Sequence, residues 1–246
     1  MKKVLFWIST SIFLLGFFIV LLVFHPLQML GKAIGYQAHK RIVDSMLWWI
    51  NKSLLLNGTY VKYSKKNTIP IPTDRPLIIV GNHQSMFDIP AIGWLFRKNH
   101  PKYVAKKSLQ YGIPSISYNI RNGGSVTIDR KDSRQALQAL EDFGKYIQEN
   151  KFAACIFPEG TRSRDGKLRP FKGLGLMKLL RTIPDALVVP VAVEGFWPIE
   201  RYRLKPVPFA PRLRCTLLEP IERDLSDKEI VKLVEERIKA VAEANL

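Results

Sequence analysis

The sequence predicts an α/β fold, a central and mostly parallel sheet flanked by helices, preceded by an N-terminal two-helix hairpin associated with a membrane. Three observations predict it. From about residue 58 onward, short apolar runs alternate with stretches of helical periodicity, the pattern of strands joined by crossover helices. Residues 4–24, "VLFWISTSIFLLGFFIVLLVF", form an uncharged apolar run of membrane-helix length. The chain has 246 residues, 47% of them hydrophobic, enough for one full core but not for a second large domain. The expected division is a two-helix membrane-anchoring segment over 1–57 and one compact domain over 58–246.

The elements follow in order. "FHPLQML" after the first run offers no small-x-small cleavage site, so the segment reads as retained rather than as a signal peptide. Pro26 is placed to open a second helix, in which Leu30, Ile34, Ile42, Met46, Trp49 and Ile50 recur at near-helical intervals opposite Lys32, Lys40, Arg41 and Asp44. Trp48 and Trp49 suit a headgroup boundary. Basic residues flank the first run on both sides, so the positive-inside rule gives no direction of crossing. A hairpin lying in one leaflet is favoured over a single crossing. Strands are expected at 76–80, 103–105, 125–128, 153–157, 187–193 and 212–218, and helices near 88–97, 133–149 and 173–182. Residues 196–211, rich in Pro and Arg, read as a loop. A last helix starts at Ser226, which forms a capping box with Glu229 and precedes an apolar face of Ile230, Leu233, Val234, Ile238 and Val241.

Charge narrows the partners. The net charge of +17 points to an anionic surface or a phosphorylated molecule. Nucleic acid is not expected, because the sequence holds no zinc-finger spacing, RNA-binding aromatic signature or basic heptad, and its bases are spread along the chain. Cys155 and Cys215 stand alone, without C-x-x-C, so neither a metal site nor a disulfide framework is indicated.

In open α/β sheets, ligands sit beyond the carboxyl ends of the strands, and three expected strands end in polar clusters. "GNHQSMFD" (81–88) sets His83 five residues before Asp88. Gly81 and Asn82 make a strand-to-helix turn plausible there, and only a turn lets the two side chains meet, since a continuous helix would point them roughly 140° apart. A carboxylate on one imidazole nitrogen fixes the tautomer and leaves the other nitrogen free to take a proton from a hydroxyl. The alternative is an Asp88 that caps a helix and a His83 satisfied within the core. "IDR" (128–130) and "FPEGTRSRDG" (157–166) place Arg130, Glu159, Gly160, Thr161 and Arg162 where an anion such as phosphate can meet guanidinium forks and backbone amides. "GTRSRDGKL" is not a P-loop, because its glycines are too far apart and Leu168 stands where Ser or Thr is needed.

Together "NHQSMFD", "GGSVTIDR", "FPEGTRS" and "VVPVAV" resemble, in order and spacing, the four sequence blocks of the glycerolipid acyltransferase superfamily, most nearly the bacterial 1-acyl-sn-glycerol-3-phosphate acyltransferases. The resemblance covers about residues 60–220 and implies transfer of an acyl group from acyl-coenzyme A or acyl carrier protein to the sn-2 hydroxyl of lysophosphatidic acid, with no cofactor. It implies that 58–246 is the catalytic domain, at the cytoplasmic face of an inner membrane, with membrane lipids as partners. It maps His83 to the general base and Asp88 to its orienting acid, Arg130 and Arg162 to phosphate contacts, and Glu159, Gly160 and Thr161 to the E-G-T-R block. Lys106 and Pro190 fall at further family positions. Glu159 is left between positioning Arg162 and binding a glycerol hydroxyl. No activated nucleophile is apparent, so direct transfer is expected, with Ser85 and Cys155 the residues able to overturn it. Other readings are a different lyso-lipid acceptor, a thioesterase, or a lipid-binding scaffold.

Overall fold

The computed structural model describes residues 2–201, 204 and 206–244. Its helices are α1 (Lys2–Ile34), α2 (Tyr36–Ser53), α3 (Asp88–Leu95), α4 (Ile116–Asn122), α5 (Ser133–Asn150), α6 (Gly173–Thr182), α7 (Trp197–Arg201) and α8 (Asp227–Ala242). Its strands are β1 (Val61–Lys65), β2 (Leu77–Gly81), β3 (Pro101–Lys106), β4 (Val126–Ile128), β5 (Ala153–Ile156), β6 (Leu187–Glu194) and β7 (Leu213–Leu217).

The seven strands form one sheet in the order β1-β7-β6-β2-β5-β3-β4. All neighbours run parallel except β6 and β7, which pair antiparallel from Val191↔Leu217 to Glu194↔Arg214. β2, β5 and β6 are buried along their whole length, and apolar but for Glu194 at the end of β6, because helices cover both faces of the sheet, which leaves no solvent side for polar alternation. One apolar cluster lies between the sheet and α1, α2 and α3, and the other lies under α5, α6 and α8. Near the carboxyl end, β3 leaves β5 after Tyr103 and pairs with β4 from Val104 onward. The sheet therefore opens there between β5 and β3.

Two expectations change. Pro26 does not begin the second helix: α1 continues through it to Ile34, and the break falls at Gly35, whose φ of 139° suits glycine and ends the helix. Packing outweighs the N–H that Pro26 lacks, since Phe13, Phe17, Leu21 and Phe24 lie in the core and buried Gln28 donates to Met46 Sδ of α2 at 3.1 Å. Within the expected loop at 196–211, Trp197–Arg201 forms α7. α1 shows its other face outward, with Trp7, Ile12, Leu15, Phe18, Leu22 and Leu30 exposed, and it is the one helix among the described residues that is long and apolar enough to cross a membrane. The capping box at the start of α8 is present as expected.

Candidate active site

The chain leaves β2 at Gly81 and is locked at once. The Asn82 side chain pairs with both backbone groups of Val193, accepting from its N–H at 2.7 Å and donating to its carbonyl at 2.9 Å, so it extends the β2–β6 ladder by one residue. Gln84 donates to the Gly166 carbonyl and accepts from the Phe196 N–H. The turn between these anchors brings His83 back onto Asp88, with 2.9 Å from Nδ1 to Asp88 Oδ2. Asp88 begins α3 and is fully buried, whereas the His83 side chain keeps 16% of its surface exposed, facing a cleft. The imidazole stacks on Phe157, with ring centroids 4.4 Å apart.

The turn is held by carboxylates. The N–H groups of Gln84 and Ser85 donate to Asp88 Oδ2 at 2.6 and 2.9 Å, that of His83 to Glu159 Oε1 at 2.7 Å, and that of Met86 to Glu200 Oε1 at 3.0 Å. Four consecutive amides are thus satisfied by acids from three separate segments. With Asp88 taking Nδ1–H, Nε2 of His83 is left as the basic nitrogen.

Glu159 follows β5, and its carboxylate turns inward. Its second oxygen accepts from Arg169 N–H at 2.9 Å, and burial pushes its carboxyl up to about 7 against the lowering effect of those two bonds. Glu159 does not pair with Arg162: the partner of Arg162 is Glu200, at 2.7 Å, with side chains 45% and 14% exposed. Glu200, on α7, is a site residue the sequence reading missed. Arg130 and Arg162 both line the cleft, and burial together with the nearby Arg162 charge lowers the Arg130 guanidinium. Gly160, Thr161 and Lys106 also line it. Pro190 does not come to the cleft; it is buried inside β6, where its carbonyl accepts from Leu218 N–H.

The cleft has a volume of about 900 Å³ and begins beside His83, Arg130 and Arg162. From there it passes between α2 and β3, walled by apolar side chains that include Val43, Leu47, Ile50, Ile89, Ile113 and Ile116. A slot of this form suits an alkyl chain, and its mouth suits a phosphate beside a base. The two rival nucleophiles are out of reach: Ser85 is fully buried with its Oγ accepting from Phe87 N–H, and Cys155 lies in the core, where burial pushes its thiol up. Among the described residues, no group of acids, histidines and cysteines could hold a metal ion.

A sequence model of the Acyltransferase family matches residues 61–194, more than half of the chain. A 1-acyl-sn-glycerol-3-phosphate acyltransferase of Limnanthes douglasii is 30% identical over 156 residues, which are 62% of this chain and 52% of that protein. One from Saccharomyces cerevisiae is 36% identical over 124 residues, 49% of this chain and 39% of that protein. The human 1-acyl-sn-glycerol-3-phosphate acyltransferase beta is 31% identical over 160 residues, 63% of this chain and 55% of that protein. The matched part therefore spans between 39% and 55% of the length of these relatives. The crystal structure of the 1-acyl-sn-glycerophosphate (LPA) acyltransferase PlsC of Thermotoga maritima superposes with a TM-score of 0.77 at 25% identity, covering 99% of this chain and 97% of that one.

Proposed function

The chain belongs to the acyltransferase family, and on that premise we propose that it transfers a fatty acyl group from acyl-coenzyme A or acyl carrier protein to the sn-2 hydroxyl of 1-acyl-sn-glycerol 3-phosphate, giving phosphatidic acid. The observation that carries the reading is the His83–Asp88 pair at the mouth of an apolar cleft flanked by Arg130 and Arg162.

His83 Nε2 takes the hydroxyl proton as the oxygen attacks the thioester carbonyl, because an alcohol is a poor nucleophile while it keeps its proton. Asp88 holds Nδ1–H and stabilises the imidazolium that forms. The proton then passes from Nε2 to the departing thiolate as the tetrahedral intermediate collapses, which leaves the ester and a free thiol. Arg130 and Arg162 hold the acceptor phosphate, which fixes the hydroxyl near His83 and converts binding into orientation. Glu159 acts through the His83 and Arg169 amides rather than on substrate. With Ser85 and Cys155 buried, transfer is direct and needs no acyl-enzyme.

Residues 1–57 serve as the membrane-anchoring part and 58–246 as the catalytic part. α1 lies along the leaflet rather than through it, because one face from Thr10 to Phe24 packs into the protein while the opposite face is apolar and exposed. The +17 charge favours an anionic, cytoplasmic leaflet of the inner membrane. The test is mass-spectrometric product analysis of detergent-purified protein given acyl-coenzyme A and lysophosphatidic acid, beside His83→Ala and an acceptor-free control. Phosphatidic acid formed only by the wild type with acceptor supports the reading, while thioester hydrolysis without acceptor or no turnover with either donor overturns it.

A further inference from the structure

The wall of the cleft changes character at its far end. α2 lines it on one helical face, and the fourteen steps from Ile50 to Tyr36 cover about 21 Å at 1.5 Å per residue. Around Val43, Met46, Leu47 and Ile50 that wall is apolar, and toward Tyr36 it turns polar, with Asp44, Lys40 and His39. At the Tyr36 end stands Lys102, only 6% exposed, its ammonium over the rings of Tyr36 and Phe152 at 5.0 and 5.1 Å. It donates to Tyr36 Oη at 3.3 Å, and that hydroxyl lies 2.5 Å from His100 Nδ1. His39 lines the same end, 3% exposed, and among the described residues its Nε2 has no hydrogen-bond partner.

A buried ammonium without a carboxylate is costly. Among the described residues Asp44 is the one acid acting on Lys102, and Asp44 is already bound by Lys40. Burial and the Lys40 charge lower the Lys102 amine to about 8. A slot built only for the methyl end of an acyl chain gains nothing from a cation, a hydroxyl and an unpartnered imidazole at its floor.

We propose that this end of the cleft is a carboxylate subsite, in which Lys102, with Tyr36 and His39 beside it, receives the terminal carboxylate of an alkyl chain lying in the cleft. The inference rests on the reading of the cleft as the acyl-chain site. Two ligands share the chemistry. A free long-chain fatty acid lies reversed, its carboxylate at Lys102 and its methyl end toward His83, and competes with the acyl donor. A dicarboxylic acyl thioester lies forward, its thioester at His83 and its ω-carboxylate at Lys102.

Full-length protein in detergent tests both. Transfer from palmitoyl-coenzyme A sets the baseline, and its failure would count against the proposed function alone, because displacement of a fluorescent fatty acid reads the subsite without turnover. In that assay palmitate should displace the probe at concentrations lower by about tenfold or more than methyl palmitate, as a hydrogen bond to a charged group warrants. Lys102→Met should erase the difference, with circular dichroism showing that the variant is folded. In the donor arm, preference for the ω-carboxylated palmitoyl thioester over palmitoyl-coenzyme A should fall by a similar factor in the same variant. A response in one arm only identifies the source. Lys102→Gln takes the place of Lys102→Met if the latter does not fold. A carboxylate that brings no advantage in either arm of the wild type, or an advantage that survives both variants, overturns the proposal.

Discussion

Replacing Asp88 by asparagine separates the charge of this residue from its geometry. Oδ2 accepts three hydrogen bonds, from His83 Nδ1, Gln84 N and Ser85 N, while Oδ1 has no partner. An amide oxygen in the Oδ2 position keeps all three bonds, and the NH2 group falls where nothing else donates. The imidazole tautomer and the turn are therefore retained, and only the negative charge is lost. The new buried NH2 lacks an acceptor, which costs about 1–3 kcal/mol of stability. The catalytic cost comes from the imidazolium formed during attack. Two unit charges about 4 Å apart at an effective dielectric constant near 20 attract by about 4 kcal/mol, an upper value because the site relaxes. A loss of about 2–4 kcal/mol in the transition state lowers kcat by about 30- to 1000-fold. Asp88→Ala should behave differently, since it strips the acceptor from three donors and should fail to fold stably. The assay is kcat at saturating donor and acceptor, read beside circular dichroism and a thermal melt. A folded Asp88→Asn variant with kcat within about threefold of wild type would refute the role given to Asp88, and so would a loss confined to KM.

Four further outcomes are expected. Glu159→Gln offers one oxygen to two amides, so it should destabilise the fold by about 1–3 kcal/mol and lower kcat. It should also flatten a pH dependence: the folded state holds the Glu159 proton to about pH 7 while the unfolded chain releases it near 4.5, so wild-type stability falls by about 3 kcal/mol between those values, as urea midpoints across the window will show. Arg130→Ala should raise the acceptor KM by about tenfold or more with kcat largely kept, and an unchanged KM with a collapsed kcat would move Arg130 into the chemistry. Glu200→Gln keeps an acceptor for Met86 N–H but releases Arg162 from a competing charge, so the acceptor KM should fall by about two- to fivefold, in line with a half-exposed pair worth up to about 1 kcal/mol; a rise in KM would count against competition. Gly195→Ala should unfold the protein or lower its thermal midpoint sharply, because residue 195 has a φ of 77° and its new Cβ would lie 1.9 Å from the Arg212 carbonyl oxygen.

What the sequence shows clearly is what a single segment determines. β2, β5 and β6 stand out as apolar runs because both of their faces are covered, and Ser226 with Glu229 marks the start of α8 through contacts three residues apart. β1 went unread: its "VKYSK" is an edge strand with three of its five residues exposed, and nothing local separates it from a loop. The end of α1 was misplaced because Pro26 is a strong local signal, and the packing that overrides it comes from α2 and the core. The same limit governs the site. His83 and Asp88 lie five residues apart in one motif and could be paired from spacing. Glu200 lies 38 residues from Arg162 and 114 from Met86, within a stretch whose Pro and Arg content suggested a loop, so nothing local joins them. The inward turn of Glu159 depends on β2 and β5 being neighbours, which is a property of strand order.

The distribution of charge follows from that strand order and bears on the chemistry. Asp88, Glu159 and Glu200 are the acids whose side chains bind the His83 loop, and all three are engaged by the amides of residues 83–86. An acid placed openly beside the mouth would repel an anionic acceptor and compete for both arginines. Buried against backbone donors, Asp88 and Glu159 instead hold the loop that carries His83, and they leave Arg130, Arg162 and Lys106 as charges presented to the cleft. Glu200 is the exception, since it touches both the loop and Arg162. On the proposed reading, phosphate binding at Arg162 would displace or share that contact, and a shift of Glu200 would reach Met86 N–H, three residues from His83. On the proposed reading, that one carboxylate would couple occupancy of the acceptor site to the position of His83, and Glu200→Gln should alter acceptor affinity while Asp88→Asn alters the rate.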